Sequence, residues 1–225
     1  MCGRYTQTTD LETLQRRFEF SSKGVTLEPR YNLAPRQEAP IIVQENERVL
    51  RIMRWGLVPH WAKEDSIGYK LINARAETIT QKPSFKEPLK TRRCLVLADG
   101  FYEWQKTEKK NVKIPMRFVL KNGEPFALAG LWDLWQKPDG DKLLSFTIIT
   151  TNANDLVGRI HDRMPVILRK EDEDIWLDTN SKGIDKLVSL LKPYPSDMME
   201  GYEVSTLVNS PKNDTPECIQ PKASL

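Results

Sequence analysis

Apolar positions along this chain follow two rhythms. Near the start, Leu11, Leu14 and Phe18 recur at helical spacing behind Thr9-Asp10-Leu11-Glu12, which matches a capping box, so a short amphipathic helix is expected there. A helix starting so early would hold the chain end against the body. The middle of the chain then changes to sheet patterning. Met116 to Leu120 reads as a strand, Lys121-Asn122-Gly123-Glu124 as an Asn-Gly hairpin turn, and Phe126 to Trp132 as the returning strand. Pro138-Asp139-Gly140-Asp141 turns into Leu143 to Thr150, a near-continuous β-branched and apolar run of the buried-strand kind. Earlier strands are expected at Ile41 to Gln44, Val49 to Trp55 and Cys94 to Ala98.

Two later helices are predicted at Glu171 to Leu177, with acids at its N-terminus as the dipole prefers, and at Ile184 to Leu191. Val204 to Val208 reads as a closing strand. Strand and helix do not alternate regularly, which argues against a doubly wound fold. The expectation is a single α+β domain, 1–210, built on a curved, mainly antiparallel sheet or barrel with flanking helices. The stretch 211–225, with Pro211, Pro216 and Pro221, reads as an irregular tail.

Composition narrows the class. The 225 residues are 39% hydrophobic and 29% charged, as in an ordinary globular domain. No apolar run approaches the ~20 residues of a membrane span, and no signal-peptide pattern is present, so a cytoplasmic location is expected. A net charge of +3 is too mild for a protein that coats nucleic acid through many phosphate contacts, though clustered arginines still permit a local anion site. Cys2, Cys94 and Cys218 form neither a disulfide framework nor a zinc signature, and with only His60 and His161 present no metal site is expected. No G-x-G-x-x-G, Walker-type loop or H-E-x-x-H occurs, and no cofactor is expected. A monomer is the simpler expectation.

Five segments carry candidate chemistry. Met1-Cys2-Gly3-Arg4 places a small residue second, so removal of Met1 would leave a free 1,2-aminothiol. An α-amine titrates near ~8 and a thiol near ~8.5, so both are expected to be partly deprotonated at neutral pH. Such a pair can attack an aldehyde twice, forming an imine and then a thiazolidine ring; an internal cysteine, its nitrogen held in an amide, cannot. The dipeptide by itself is equally a small second residue with no role. In Asn73-Ala74-Arg75-Ala76-Glu77, an extended backbone puts the polar residues on one face and the alanines on the other, a ligand face or a salt-bridged edge. Arg159, His161 and Arg163 alternate likewise and, if extended, form one cationic face suited to phosphate, with His161 as a proton donor or acceptor. Glu103, in Asp99-Gly100-Phe101-Tyr102-Glu103-Trp104, sits among aromatics, where desolvation would raise its pKa; it is otherwise a solvent-facing acid in an aromatic turn. In Trp55 to Lys63, Trp55 is expected to be core and Trp61 the contact for an unpaired base, with His60 satisfying a backbone carbonyl.

Taken together these segments resemble the SOS response-associated peptidase family, the abasic-site-processing proteins. The matching stretches are Met1 to Tyr5, Tyr31 to Pro35, Trp55 to Lys63, Asn73 to Thr78, Arg92 to Trp104, Ala129 to Trp132, Thr147 to Ala153 and Ile160 to Leu168, with a weaker echo at Val204 to Asn209. The resemblance implies a catalytic Cys2 assisted by Asn73, Glu103 and His161. It also implies the family's α+β fold and, as partner, single-stranded DNA carrying abasic sites. Arg4, Arg75 and Arg163 lie in matching motifs as phosphate or sugar contacts, with Arg159 beside them. Leu97 departs from the family pattern, which usually has proline before Ala-Asp-Gly. The expected outcome is a covalent thiazolidine cross-link through Cys2, with self-removal of Met1 as a narrower expectation. Two other classes stay open: an N-terminal-nucleophile amidohydrolase, since glutamine amidotransferases also begin Met-Cys-Gly, and a non-covalent single-strand binder.

Overall fold

The computed structural model describes residues 2–109, 112–137, 139–180 and 183–222. In chain order the elements are β1 (Tyr5–Gln7), α1 (Leu11–Phe18), β2 (Arg30–Leu33), β3 (Glu38–Gln44), β4 (Arg48–Trp55), β5 (Asn73–Arg75), α2 (Pro83–Thr91), β6 (Arg93–Ala98), β7 (Gly100–Lys106), β8 (Lys113–Leu120), β9 (Phe126–Gln136), β10 (Lys142–Asn152), β11 (Arg163–Pro165), α3 (Lys170–Leu177), α4 (Ile184–Ser189) and β12 (Met199–Glu203).

They form two sheets, giving the expected single-domain α+β fold. In one, the order runs β11-β10-β4-β3-β6-β9 and β10 pairs again with β9, so five strands close on themselves. β10 is the hub. It runs parallel to β4 and then β5 on one edge, and antiparallel to β9 and then β11 on the other. The second sheet is open, with order β12-β8-β7-β1-β2. Strand alternation divides the core. Leu95 and Leu97 of β6 pack with Leu14, Phe18, Phe85, Leu89 and Trp176 from the helices. Cys94, Val96 and Ala98 pack with Tyr5, Phe101 and Phe118 of the second sheet, and Cys2 lies in this same cluster.

Several local expectations need correction. α1 is capped by Asp10, which accepts from the Thr13 N–H at 2.9 Å, and not by Thr9, whose groups are taken elsewhere. The Asn-Gly turn does not make a hairpin: β8 pairs with β7 and β12, whereas β9 pairs with β6 and β10. Gly123 does adopt positive φ, but Pro125 follows and has no N–H to donate to a ladder, and the chain crosses between sheets there. The closing strand is β12; Thr206–Asn209 is a 3-10 turn. Asp139, Gly140 and Asp141 turn β9 into β10 as a hairpin, while Pro138 lies outside the described residues. After residue 210 the chain is irregular but packed: Asp214 bonds Arg30 Nε at 2.5 Å, and Cys218 is buried.

Candidate active site

The N-terminal segment is sewn into the second sheet. Tyr5 pairs with Phe101, Thr6 with Gly100, and the Tyr102 N–H donates to the Arg4 carbonyl at 3.0 Å. Asp99, at the corner between β6 and β7, fixes the next residues. It accepts from Thr6 Oγ1 (2.6 Å), Thr8 Oγ1 (2.9 Å), the Thr9 N–H (3.0 Å) and the Thr8 N–H, and pairs with Arg117 at 3.1 Å. Gly100 makes room for that guanidinium, since a Cβ there would lie 2.7 Å from Arg117 Nε. The strand that leads back to Cys2 is thus tied to the strand that carries Glu103.

Cys2 is fully buried, and its thiol is pushed up to about 12 by that burial and by the nearby Glu103 charge. In the chain with Met1 attached the thiol is protonated at neutral pH. Glu103 lies on β7, a strand and not a turn, with its carboxyl buried and its pKa raised to about 7 by desolvation. Burial also lowers the pKa of half-buried His161, with Lys106 adding to the effect and Asp162 opposing it. The Arg163 N–H donates to His161 Nδ1 at 3.0 Å, so the neutral ring carries its proton on Nε2. Asp162 raises the pKa of Glu103 and of His161 alike, which puts the two groups in one electrostatic neighbourhood.

Asn73 begins β5, opposite Ile148 of β10. Its Nδ2 donates to the Ile72 carbonyl at 2.9 Å, while Oδ1 is buried with no hydrogen-bond partner among the described residues. Ile72 and Ile160, which precede Asn73 and His161, pack against the cluster that contains Cys2. The Glu103 charge thus acts on Cys2 and Asp162 acts on both Glu103 and His161, while Asn73 is tied to the same core only through its neighbour Ile72.

The cationic residues divide differently. β5 ends at Arg75, so the alternation from Asn73 holds for Arg75, which is exposed, and breaks before Glu77. Val157–Arg159 is a 3-10 turn, so Arg159, His161 and Arg163 do not share an extended face. Arg159 is exposed; Arg163 is buried, with its donors on Glu77 (2.6 Å), Asn152 Oδ1 (3.0 Å) and the Thr150 carbonyl (2.7 Å). Arg4 donates to Asn32 Oδ1 and the Val208 carbonyl and lies 5.6 Å over the Trp104 ring. Trp55 is buried and Trp61 is 50% exposed, beside a recess of about 300 Å³ with Lys63 and Lys70. His60 bonds the buried Asp133 carboxylate at 3.1 Å rather than a backbone carbonyl. Leu97 packs on the helix side, away from the Cys2 cluster. Sequence reading missed Asp99, Arg117 and Asn32; an acid directly before Gly100 was the available signal for the first. No cluster of three metal-ligating side chains occurs among the described residues, and no described helix is long and apolar enough to cross a membrane.

With this geometry described, relatives can be compared. The sequence profile of the SOS response associated peptidase (SRAP) family matches residues 1–211. The chain belongs to this family. It is 49% identical over 225 aligned residues to the abasic site processing protein YoqW of Bacillus subtilis (strain 168), covering 98% of this chain and 99% of that protein. It is 38% identical to the abasic site processing protein HMCES of Gallus gallus, covering 86% of this chain and 66% of the other. Its fold superposes on a crystal structure of a protein from Bacteroides thetaiotaomicron with a TM-score of 0.88 at 31% identity, over 99% of this chain and 100% of that one.

Proposed function

We propose that this SRAP protein takes part in the DNA-damage response by processing abasic sites in single-stranded DNA, forming a covalent bond through Cys2 once Met1 is removed. The observation that carries the reading is the pairing of a buried N-terminal-segment cysteine with a carboxyl whose pKa is raised to about 7. The names of its relatives support the choice of substrate.

An abasic sugar equilibrates with a ring-opened aldehyde. The free amine of Cys2 attacks the aldehyde carbon, and loss of water leaves an imine. The thiol then adds across the C=N bond: sulfur bonds to carbon, the proton passes to nitrogen, and the five-membered ring closes. A thiol this strongly protonated needs a base at hand, and Glu103 is assigned that proton transfer. His161 stabilises the departing oxygen, and Asn73 holds the amine in line through its amide oxygen. Arg75 and Arg159, both exposed, are assigned the DNA backbone, and Trp61 a base.

The test incubates protein of known N-terminal mass with single-stranded DNA carrying one abasic site, followed by a denaturing gel. A retarded band is expected with Met1-free protein, and none with Cys2→Ala or with intact DNA. Absence of the band despite confirmed Met1 removal overturns the covalent reading. Ammonia release from glutamine would then favour amide hydrolysis, and equal affinity for intact and abasic strands a non-covalent binder. Self-removal of Met1 is tested by mass spectrometry of wild type and Glu103→Gln made without methionine aminopeptidase activity. Greater Met1 retention in the variant is expected, and equal retention rejects self-processing.

A further inference from the structure

Lys106 and Lys113 stand directly opposite each other across the antiparallel pair β7–β8. Both are exposed, and neither has an acidic partner within salt-bridge reach among the described residues. Like charges at directly opposed positions destabilise a sheet pair. Folding alone gains nothing from this arrangement, whereas an anion held between the two ammonium groups turns repulsion into attraction. Lysine suits phosphate as a point charge.

The placement points to one anion. Lys106 lies three residues beyond Glu103 on the same strand, about 10 Å along it, and on the face it shares with Trp104. Lys113 lines a recess of about 420 Å³ with Arg4, Trp104 and Asn209. In that recess Trp104 Nε1 donates to Asn209 Oδ1 at 2.7 Å, so the indole is held in a fixed orientation. The charges of both lysines reach the site: Lys106 acts on His161, and Lys113 on Glu103. We propose that Lys106 and Lys113 clamp a backbone phosphate of the DNA strand flanking the lesion, so that β7 carries both a reacting group and a strand-holding group. The clamp rests on the abasic-site reading above.

The experiment measures affinity for intact single-stranded DNA by fluorescence anisotropy across a salt series, for wild type, Lys106→Gln/Lys113→Gln and Lys113→Glu. Each single-strand phosphate contact contributes about 0.7 to the slope of log K against log salt. The double variant should lose about 0.7 from that slope if one phosphate is shared. Lys113→Glu should pair with Lys106, bind DNA more weakly still, and melt at a higher temperature than wild type, which excludes misfolding as the cause. Unchanged slopes in both variants, in a wild type that binds and cross-links, overturn the clamp alone. A wild type that binds no single-stranded DNA overturns the reading beneath it as well.

Discussion

Glu103 shows how one residue's setting fixes its chemistry. Its folded pKa of about 7 lies above the ordinary carboxylate value because the charged form is desolvated. The folded state then binds more protons than the unfolded state between about pH 4.5 and 7. Its contribution to stability therefore falls as pH rises through that window, by on the order of 3 kcal/mol. Glu103→Gln should flatten this part of the pH–stability curve and melt higher than wild type at pH 8. The same substitution should lower the proposed cross-linking rate by about 10²–10⁴-fold and abolish its rise with pH near 7. The arginines separate by their partners. Arg163→Ala leaves the Thr150 carbonyl without its donor and releases the exposed Glu77 and Asn152 to water, and should cost about 1–3 kcal/mol in chemical denaturation. Arg75→Ala and Arg159→Ala should leave stability within about 0.5 kcal/mol and reduce the salt dependence of DNA binding. Cys2, Asn73, Glu103 and His161 stand out in the sequence because they lie in stretches that resemble the family's motifs. The separation of Arg159 from Arg163 was not legible, because their alternation presupposed an extended backbone that a 3-10 turn at Val157–Arg159 replaces.

At the scale of elements, the informative residues are those that join ends. Arg93 is buried, and its guanidinium donates to the carbonyls of Leu89, Lys90, Trp176 and Asp178, closing the C-terminal ends of α2 and α3 with one side chain. Arg93→Met should unfold at clearly lower denaturant, and Arg93→Lys should not restore the loss, since an ammonium lacks the planar fork that reaches two helices. Asp99 does comparable work for β1. Asp99→Ala strands the Arg117 charge and frees Thr6, Thr8 and Thr9, so a loss of about 3–5 kcal/mol is expected, with amide exchange rising first in residues 6–9. Periodicity revealed α1, β3, β4, β6 and β10, whose apolar patterns are long. It did not reveal α2, which opens on Pro83, where proline is tolerated, but carries Pro88 in its interior. It missed β1 and β2 because three or four residues carry too little pattern.

For the molecule as a whole, the α+β class and the curved, mainly antiparallel sheet were readable from the spacing of strands, but the division into a closed and an open sheet was not. That division depends on whether β8 folds back on β9 or leaves for β7 and β12, a choice made by long-range pairing rather than by the Asn122-Gly123 turn. The division also sets what reaches residue 2. An aminothiol reacts indiscriminately with metabolic aldehydes, oxidants and alkylating agents. With Met1 attached, the sulfur lies between the two sheets with no exposed surface and is held protonated near pH 7. In the proposed reaction, bystander electrophiles are thus turned away by admission rather than by any scavenger, and the group meets a carbonyl only when a strand of the right shape brings one in.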